Sequence, residues 1–261
     1  MIPAALTIAG SDPSGGAGLQ ADLKTFQQHG VYGLSVVTLL TVQNTRAVSA
    51  VQVLDPAFVQ AQLDAVLTDI PPAAAKTGAL GSAGVIAAVA ERAADFAFPL
   101  VVDPVMVSKH GHALLDPAAA DVLRRRLLPR AFLVTPNMPE AAALAEMEVV
   151  DVPGLEAAAR RIALCGVRHV LVKGGRLAEQ AIDVLFSDGE LHRFAAPRVE
   201  TRHVHGTGCV FSAAVTAHLA RGVPLKTAIQ GAKAFVAAAI RTAPGLGGGC
   251  GPVNLFAAPG A

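Results

Sequence analysis

Short segments rich in β-branched residues alternate with longer amphipathic or alanine-rich segments along most of this 261-residue chain. The first kind of segment predicts strands and the second predicts helices. The predicted strands are 4–9, 34–42, 48–53, 74–77, 100–105, 132–135 and 170–173, and the predicted helices are 19–29, 56–69, 83–94, 117–128, 139–145 and 155–164. Because this alternation is typical of a parallel sheet covered on both faces, we predict an α/β fold with a three-layer α/β/α sandwich.

The pattern changes after Gly174. Segments 181–187 and 191–195 flank Asp188-Gly189, a turn dipeptide that predicts a β-hairpin and therefore an antiparallel edge. Two further helices are predicted at 207–221 and 225–241, whereas 245–251 is too rich in glycine for either element. With no internal repeat or interdomain linker, we expect one domain over residues 1–261.

Composition limits the partners that the chain is expected to have. Lys and Arg number 21 against 20 Asp and Glu, and charged residues make up only 16% of the chain, so nothing favours nucleic acid. A sparsely charged surface favours self-association. No apolar run is long enough to cross a bilayer, and no Lys or Arg precedes Lys24, so we expect a cytoplasmic protein without a signal peptide or membrane contact.

The three cysteines do not form a recognisable framework. Cys165, Cys209 and Cys250 are odd in number and about forty residues apart, which fits neither disulfides nor zinc ligation. We expect free thiols.

Small and polar residues follow the predicted strands where those strands end. Because the carboxyl ends of parallel strands lie at one edge of a sheet, these loops should meet along one rim, where ligands bind in open parallel sheets. The loops are 10–18, 76–78, 103–106, 135–140 and 173–175.

The segment His205-Gly206-Thr207-Gly208-Cys209 precedes a predicted helix. Backbone N–H groups at a helix start lack intrahelical partners, so this turn can hold an anion such as a transferring phosphoryl group. The glycines allow close approach, Thr207 offers a hydroxyl donor, and the helix field is expected to lower the pKa of Cys209. A structural glycine-rich helix start with a buried cysteine remains an alternative for this motif alone.

Taken in order, these motifs resemble the hydroxymethylpyrimidine/phosphomethylpyrimidine kinases of thiamine biosynthesis, within the ribokinase-like superfamily. The resemblance implies ATP-dependent phosphorylation of the alcohol 4-amino-5-hydroxymethyl-2-methylpyrimidine and then of its monophosphate. It also implies a homodimer. The motifs that carry it are Gly10–Asp12 with Gly15–Asp22, Val42–Thr45, Asp103–Met106, Thr135–Asn137, Lys173–Gly175 and His205–Cys209.

The resemblance also implies how the substrate is held. It assigns the pyrimidine to Gly10, Asp22, Gln43 and Val105. The carboxamide of Gln43 suits this role because its acceptor and donor match the amino group and ring nitrogen of a 4-aminopyrimidine.

For phosphoryl transfer, the resemblance places the anion hole on Gly206, Thr207, Gly208 and Cys209, where many related enzymes carry an Asp as general base instead of Cys. The thiol of Cys209 would accept the proton of the alcohol, a step that the already anionic monophosphate does not need. His205 either contacts a phosphate or fills the corner between strand and helix.

Binding of ATP and Mg²⁺ is assigned by the same resemblance. Lys173 and Asn137 are expected at the ATP phosphates together with Thr207 and Gly208. Asp103 and Glu140 are expected to organise Mg²⁺, directly or through water. Taken singly, each charged residue also fits a structural role at a strand end or helix start.

Two other functions stay open. A pyridoxal kinase of the same superfamily is the first, because Ala79 stands where the pyrimidine kinases usually place a Met against the substrate. Val42–Thr45 and Ser108-Lys109, in a segment 107–113 expected to form a lid, favour the pyrimidine. The second is a dinucleotide-binding oxidoreductase or a non-catalytic nucleotide-binding module, but loop 10–18 lacks the G-x-G-x-x-G spacing.

Overall fold

The computed structural model describes residues 2–106, 117–175, 177 and 180–259, which include one sheet of nine strands. The strands are β1 Ala4–Ser11, β2 Tyr32–Gln43, β3 Val48–Val53, β4 Ala74–Thr77, β5 Leu100–Val102, β6 Leu133–Val134, β7 His169–Gly174, β8 Gln180–Ser187 and β9 Glu190–Pro197. The helices are α1 Gly18–Gln28, α2 Pro56–Asp69, α3 Ala83–Ala93, α4 Pro117–Val122, α5 Met138–Ala145, α6 Val152–Ala163, α7 Thr207–Ala220 and α8 Leu225–Arg241. The predicted strands and helices are present, with ends that differ by a few residues.

The strand order is β3-β2-β1-β4-β5-β6-β7-β8-β9. Strands β2, β1, β4, β5, β6 and β7 are parallel, and β8 and β9 form the antiparallel hairpin predicted at Asp188-Gly189. The three-layer α/β/α prediction is therefore confirmed.

A second antiparallel edge, β2 with β3, was not predicted. Its cause is local: the side-chain oxygen of Asn44 accepts hydrogen bonds from the backbone N–H of Arg46 at 2.8 Å and of Ala47 at 3.1 Å. A connection this short cannot hold the helical crossover that a parallel pair requires. The glycine-rich tail 245–251 forms neither helix nor strand, as predicted, and packs on this turn, with Cys250 N–H donating to Thr45 O at 2.8 Å.

The core lies on both faces of the sheet. Successive residues of a strand point to opposite faces, so Leu100 and Val102 pack with α2 to α6 whereas Val101 packs with α7 and α8. Helix α1 lies on the same face as α7, where Phe26 and Ala213 share a cluster. Burial on both faces explains why the sequences of the central strands are almost entirely apolar.

The helices begin in different ways. Asp55, Ser82 and Asp151 cap α2, α3 and α6 through their side chains, whereas α7 has Gly206 at its start and no side-chain cap. The predicted helix 117–128 continues from α4 as a π-helical turn, Leu123–Leu127, and a 3₁₀ turn, Leu128–Arg130. The chain thus leaves the N–H groups at the start of α7 for another partner.

The connection from β1 leads to β2 on one side, whereas the connection from β4 leads to β5 on the other side, so the strand order reverses between β1 and β4. Ligands of open parallel sheets bind at the carboxyl ends of strands beside such a point. None of the helices in the described ranges is long and apolar enough to cross a membrane.

Candidate active site

Asp12 organises the glycine-rich loop that follows β1. Its carboxylate accepts hydrogen bonds from the Ser14 backbone N–H at 2.9 Å, the Ser14 hydroxyl at 2.7 Å and the Ala17 N–H at 2.9 Å. His205 Nε2 lies 2.8 Å from the same carboxylate. Burial opposes the charge, but the hydrogen bonds from His205 and Ser14 hold the pKa of Asp12 below its usual value. The loop therefore has a fixed shape and is tied to the segment before α7.

Glycines allow this loop and the start of α7 to touch through their backbones. Gly206 has a φ of +82°, and a Cβ atom on it would overlap the carbonyl oxygen of Gly16. Gly18 has a φ of +56°, and its Cβ would overlap the carbonyl oxygen of Gly10. Glycine is needed at both positions because an L side chain has neither the space nor the preferred backbone conformation.

The backbone amides at the start of α7 are available to a ligand. No described residue accepts a hydrogen bond from the N–H of Gly208 or Cys209, and Thr207 N–H has only a long 3.4 Å contact with Val204 O. The first regular bond of the helix is donated by Val210 N–H to Gly206 O at 2.9 Å. These unpaired donors carry the partial positive charge of the helix and suit an anion.

Asp103 follows β5 and collects donors from three other elements. One carboxylate oxygen lies 3.1 Å from Lys173 Nζ and accepts from the Thr135 hydroxyl at 3.3 Å. The other oxygen accepts from the hydroxyl of Ser212, on α7, at 3.3 Å. A Cβ atom placed on Gly208 would lie 3.6 Å from Lys173 Nζ and 3.7 Å from Asp103. The Lys173–Asp103 pair thus borders the unpaired amides.

Glu140 is the second carboxylate of this region. It forms a capping box with Asn137: Asn137 N–H donates to Glu140 at 2.8 Å, and Glu140 N–H donates to the Asn137 side chain at 3.0 Å. Burial raises the pKa of Glu140 to about 7, with Lys173 opposing the shift and Asp103 adding to it. Glu140 therefore has the structural role at a helix start that was its alternative, with Asn137 as its capping partner. The pKa of Glu140 also depends on the charge of Asp103.

Two nearly buried carboxylates that repel each other suit a divalent cation. Asp103 is 3% exposed and Glu140 is 7% exposed, and oxygen ligands are those that Mg²⁺ prefers. The described residues contain no group of three His, Cys, Asp or Glu arranged to hold a metal alone. The donor set therefore fits an ion that also uses phosphate oxygens and water.

The environment of Cys209 corrects one prediction. The helix field was expected to lower the pKa of the thiol, but burial raises it to about 11, with the nearby Lys76 lowering it and Asp22 and Asp103 raising it further. The residue as a whole is half-buried, and its thiol group is surrounded by protein. Desolvation of the thiolate outweighs the helix start, so Cys209 is a thiol at neutral pH.

Asp22 lies beneath the rim and has no exposed surface. Its two oxygens are occupied, one by the Thr7 hydroxyl at 2.7 Å and the other by Lys76 Nζ at 2.9 Å. Because Asp22 is fully buried, direct contact with a substrate, as predicted for it, would require the residues that cover it to move. Sequence reasoning missed the roles of Thr7, Lys76 and Ser212, although a lysine inside the short apolar strand β4 is an unusual residue for that place.

The remaining predicted substrate residues lie near the carboxyl ends of β1, β2 and β5. Gln43 is the last residue of β2, half-buried, with its amide 3.2 Å from His205 Nε2. Gly10 packs against the side chain of Leu39, and Val105 is half-buried directly after Asp103 and Pro104. The side chain of His205 lies between Asp12 and Gln43, with Nε2 within hydrogen-bond distance of both. The predicted lid 107–113 lies outside the described residues.

Comparison with solved structures gives the class of protein first. The fold superimposes on an ADP complex of Bacillus subtilis pyridoxal kinase with a TM-score of 0.90 and 38% sequence identity, covering 98% of each chain. A match of this extent, at this identity, places the chain among the ribokinase-like small-molecule kinases.

Its family follows from sequence. The family model described as phosphomethylpyrimidine kinase matches residues 12–254. The hydroxymethylpyrimidine/phosphomethylpyrimidine kinase of Rhizobium meliloti is 49% identical, covering 98% of both chains. The thiamine biosynthesis bifunctional protein ThiED of Geobacter sulfurreducens is 51% identical over 95% of this chain, which spans about half the length of that relative. The chain belongs to the phosphomethylpyrimidine kinase family.

Proposed function

We propose that this protein transfers the γ-phosphoryl group of ATP to 4-amino-5-hydroxymethyl-2-methylpyrimidine and then to its monophosphate, as a step of thiamine biosynthesis. The observation that carries the proposal is the pair of unpaired amides, Gly208 and Cys209, beside the Lys173–Asp103 pair in a chain of this family. Phosphoryl transfer depends mainly on positioning and on neutralising charge, which this arrangement provides.

The nucleotide phosphates are assigned to the start of α7. The amides from Gly206 to Cys209 and the Thr207 hydroxyl would bind the transferring group, and Lys173 would leave Asp103 to meet phosphate oxygens. Asp103 and Glu140 would hold Mg²⁺, which supplies positive charge to the phosphates when bound. Asn137 keeps Glu140 in place through the capping box.

The pyrimidine is assigned to Gly10, Gln43 and Val105, near the carboxyl ends of β1, β2 and β5. Gln43 would turn its amide from His205 to the amino group and ring nitrogen of the substrate, because these require an acceptor and a donor on one planar group. Asp22 would not contact the substrate and would instead hold the ammonium group of Lys76 in place.

Cys209 is assigned as the base that accepts the proton of the alcohol. Its thiolate is a small fraction of the free protein at neutral pH, so the proton would leave late, as the O–H group becomes acidic in the transition state. The monophosphate acceptor is already an anion and needs no such base.

A pyridoxal kinase is the second candidate, favoured by the structural match to the Bacillus subtilis enzyme and by Ala79. Ala79 has a smaller side chain than the Met expected there, which would leave room for a different heterocycle. Greater identity to the pyrimidine kinases, 49% against 38%, supports the pyrimidine.

A coupled assay of ADP release with Mg²⁺-ATP and each alcohol tests both candidates. We expect a higher kcat/KM for the hydroxymethylpyrimidine than for pyridoxal. Preference for pyridoxal would contradict the proposed substrate, and NAD binding without ATP turnover would contradict the proposed reaction.

We also propose that the chain functions as one cytoplasmic domain and as a homodimer. The outer surface of β2 and β3 exposes apolar side chains, of which Tyr32 and Val42 are 57% and 61% exposed. A second copy covering this surface would remove them from water. Light scattering coupled to size exclusion would show a particle of twice the 26.5 kDa chain mass.

A further inference from the structure

The glycine-rich stretch after α8 is a motif that the proposed reaction does not yet use. Residues 247–253, the glycine segment, form no helix, and their one strand-like contact is an isolated bridge between Pro252 and His205. The backbone of this segment nevertheless makes hydrogen bonds with two parts of the site that are distant in sequence. Those bonds give the segment a possible role beyond closing the chain.

The first set of bonds is made with the turn between β2 and β3. Cys250 N–H donates to the Thr45 carbonyl oxygen at 2.8 Å, and Gly249 N–H donates to the Thr45 hydroxyl at 3.2 Å. Thr45 comes two residues after Gln43, with which β2 ends. The glycine segment therefore holds the chain just beyond the residue to which the pyrimidine is assigned.

This contact is too close for side chains. A Cβ atom on Gly249 would overlap the carbonyl oxygen of Thr45, and a Cβ atom on Gly247 would overlap the side chain of Thr45. Gly249 does not have a positive φ, so it is the lack of space, not the backbone conformation, that requires glycine there. Because a carbonyl oxygen cannot swing aside as a side chain can, a methyl group at position 249 would have to push the turn away.

The second set of bonds is made with the residue before the anion hole. His205 N–H donates to the Gly251 carbonyl oxygen at 3.0 Å, and Val253 N–H donates to the His205 carbonyl oxygen at 3.3 Å. His205 is followed directly by Gly206, with which the anion hole begins. Residues 249–253 thus connect the end of β2 with the start of α7.

The β2–β3 turn lies at the edge of the sheet. Strand β3 is the last strand on this side, and most of its residues are exposed. The bonds from the Arg46 and Ala47 N–H groups to the Asn44 side chain lie within the turn, so they fix its shape but not its place relative to α7. The glycine segment supplies contacts from outside the strand pair that fix this place.

We propose that the glycine segment is a positioning element that sets the distance between Gln43 and the anion hole. The inference rests on the proposed function, in which Gln43 binds the heterocycle and the anion hole binds the transferring phosphoryl group. The segment would then set how far the acceptor oxygen lies from the phosphorus. Such placement has a large effect, because a displacement of about 1 Å can slow a reaction about 100-fold.

Steady-state kinetics of Gly249→Ala test the proposal. Displacement of the turn should raise KM for the hydroxymethylpyrimidine about tenfold. KM for ATP should stay within about twofold of the native value, because Lys173 and Asn137 make no hydrogen bond with the glycine segment among the described residues. A purely structural role would reduce the amount of active protein, so kcat would fall with both KM values unchanged. That result, or an equal rise of both KM values, would overturn the proposal.

Gly245→Ala is the matched control. Gly245 lies just before the segment with a φ of +71°, and a Cβ atom on it would meet nothing within 4 Å. The variant should therefore lose stability through backbone strain and keep both KM values. A rise in KM for the pyrimidine as large as that in Gly249→Ala would overturn the proposal.

Thr45→Val is a milder variant that decides the question if Gly249→Ala does not fold. It keeps the size of the side chain and removes the hydroxyl that accepts the hydrogen bond from Gly249 N–H. KM for the pyrimidine should rise about fivefold, the scale of one hydrogen bond, with KM for ATP unchanged. An unchanged KM for the pyrimidine would overturn the proposal.

Proteolysis of the free protein separates this inference from the proposed function. Arg46 is exposed, and its guanidinium group lies where a Cβ atom on Gly248 would be. Trypsin should cleave after Arg46 about tenfold faster in Gly249→Ala than in the native protein or in Gly245→Ala, because a displaced turn opens more often. Equal rates in the three proteins would overturn the proposal. If the native protein prefers pyridoxal, the proposed substrate is wrong, and the same comparison of KM values made with pyridoxal decides the role of the segment.

Discussion

A buried thiol is a weak candidate for a base at neutral pH, and this property makes the role of Cys209 testable. Replacing Cys209 with Ala should lower turnover of the alcohol by about 100-fold, the scale of general-base catalysis. Turnover of the monophosphate should fall less, because its attacking oxygen is already ionised. Both are measured as ADP release with saturating ATP, and equal losses on the two acceptors would reject the assignment.

The same thiol gives the alcohol reaction its own dependence on pH. Because the pKa of Cys209 is about 11, the thiolate fraction should rise about tenfold per pH unit between pH 7 and 9. The ratio of alcohol to monophosphate turnover should rise over that range in the native protein. In Cys209→Ala the ratio should stay flat, so a rising ratio in the variant would show that another group titrates.

At the scale of elements, the start of α7 depends on a backbone that only glycine adopts without cost. Gly206→Ala should destabilise the protein by more than the strain of a positive φ alone, about 1–3 kcal/mol, because its Cβ also overlaps Gly16. ATP turnover should fall with it, since the loop and α7 would separate. Urea unfolding and ADP release measure the two effects.

Gly222→Ala separates strain from overlap. Gly222 follows the same helix with a φ of +75°, but a Cβ there would meet nothing within 4 Å. Gly222→Ala should therefore lose only the stability that a strained φ costs, and its ATP turnover should remain that of the native protein. Equal losses of stability and turnover in Gly206→Ala and Gly222→Ala would contradict a role for the contact between Gly206 and Gly16.

The elements also show what can be predicted from sequence. Periodicity and caps are local, so the strands, helices and the Asp188-Gly189 hairpin were predictable. The antiparallel β2–β3 pair was missed because it depends on how the Asn44 side chain closes a short turn. The loops at the rim were predictable because the carboxyl ends of parallel strands lie at one edge of a sheet. The raised pKa of Cys209 and the Lys76–Asp22 pair were not predictable, since both arise from burial by residues distant in sequence.

At the scale of the whole molecule, the packing of α1 against α7 and α8 should set the stability in acid. His29 at the end of α1 is 3% exposed, its Nδ1 lies 2.8 Å from Thr25 O, and its Nε2 has no partner among the described residues. Its ring packs edge-on against Phe235 of α8 and His218 of α7. Burial lowers the pKa of His29 to about 4, with the charges of His218 and Arg221 lowering it further against the bond to Thr25.

The sign of the effect follows from proton binding. Between pH 6.5 and about 4 the unfolded chain binds a proton at this position and the folded protein does not, so stability falls as the pH falls through that range. The full loss is about 3 kcal/mol for a shift of this size. His29→Phe keeps an aromatic ring and removes the titration, so the free energy of unfolding from urea titrations should decline less between pH 7 and 4.5 than in the native protein. Equal declines would place the acid sensitivity elsewhere, with His169 and His218, whose pKa values are also lowered by burial, as the next groups to replace.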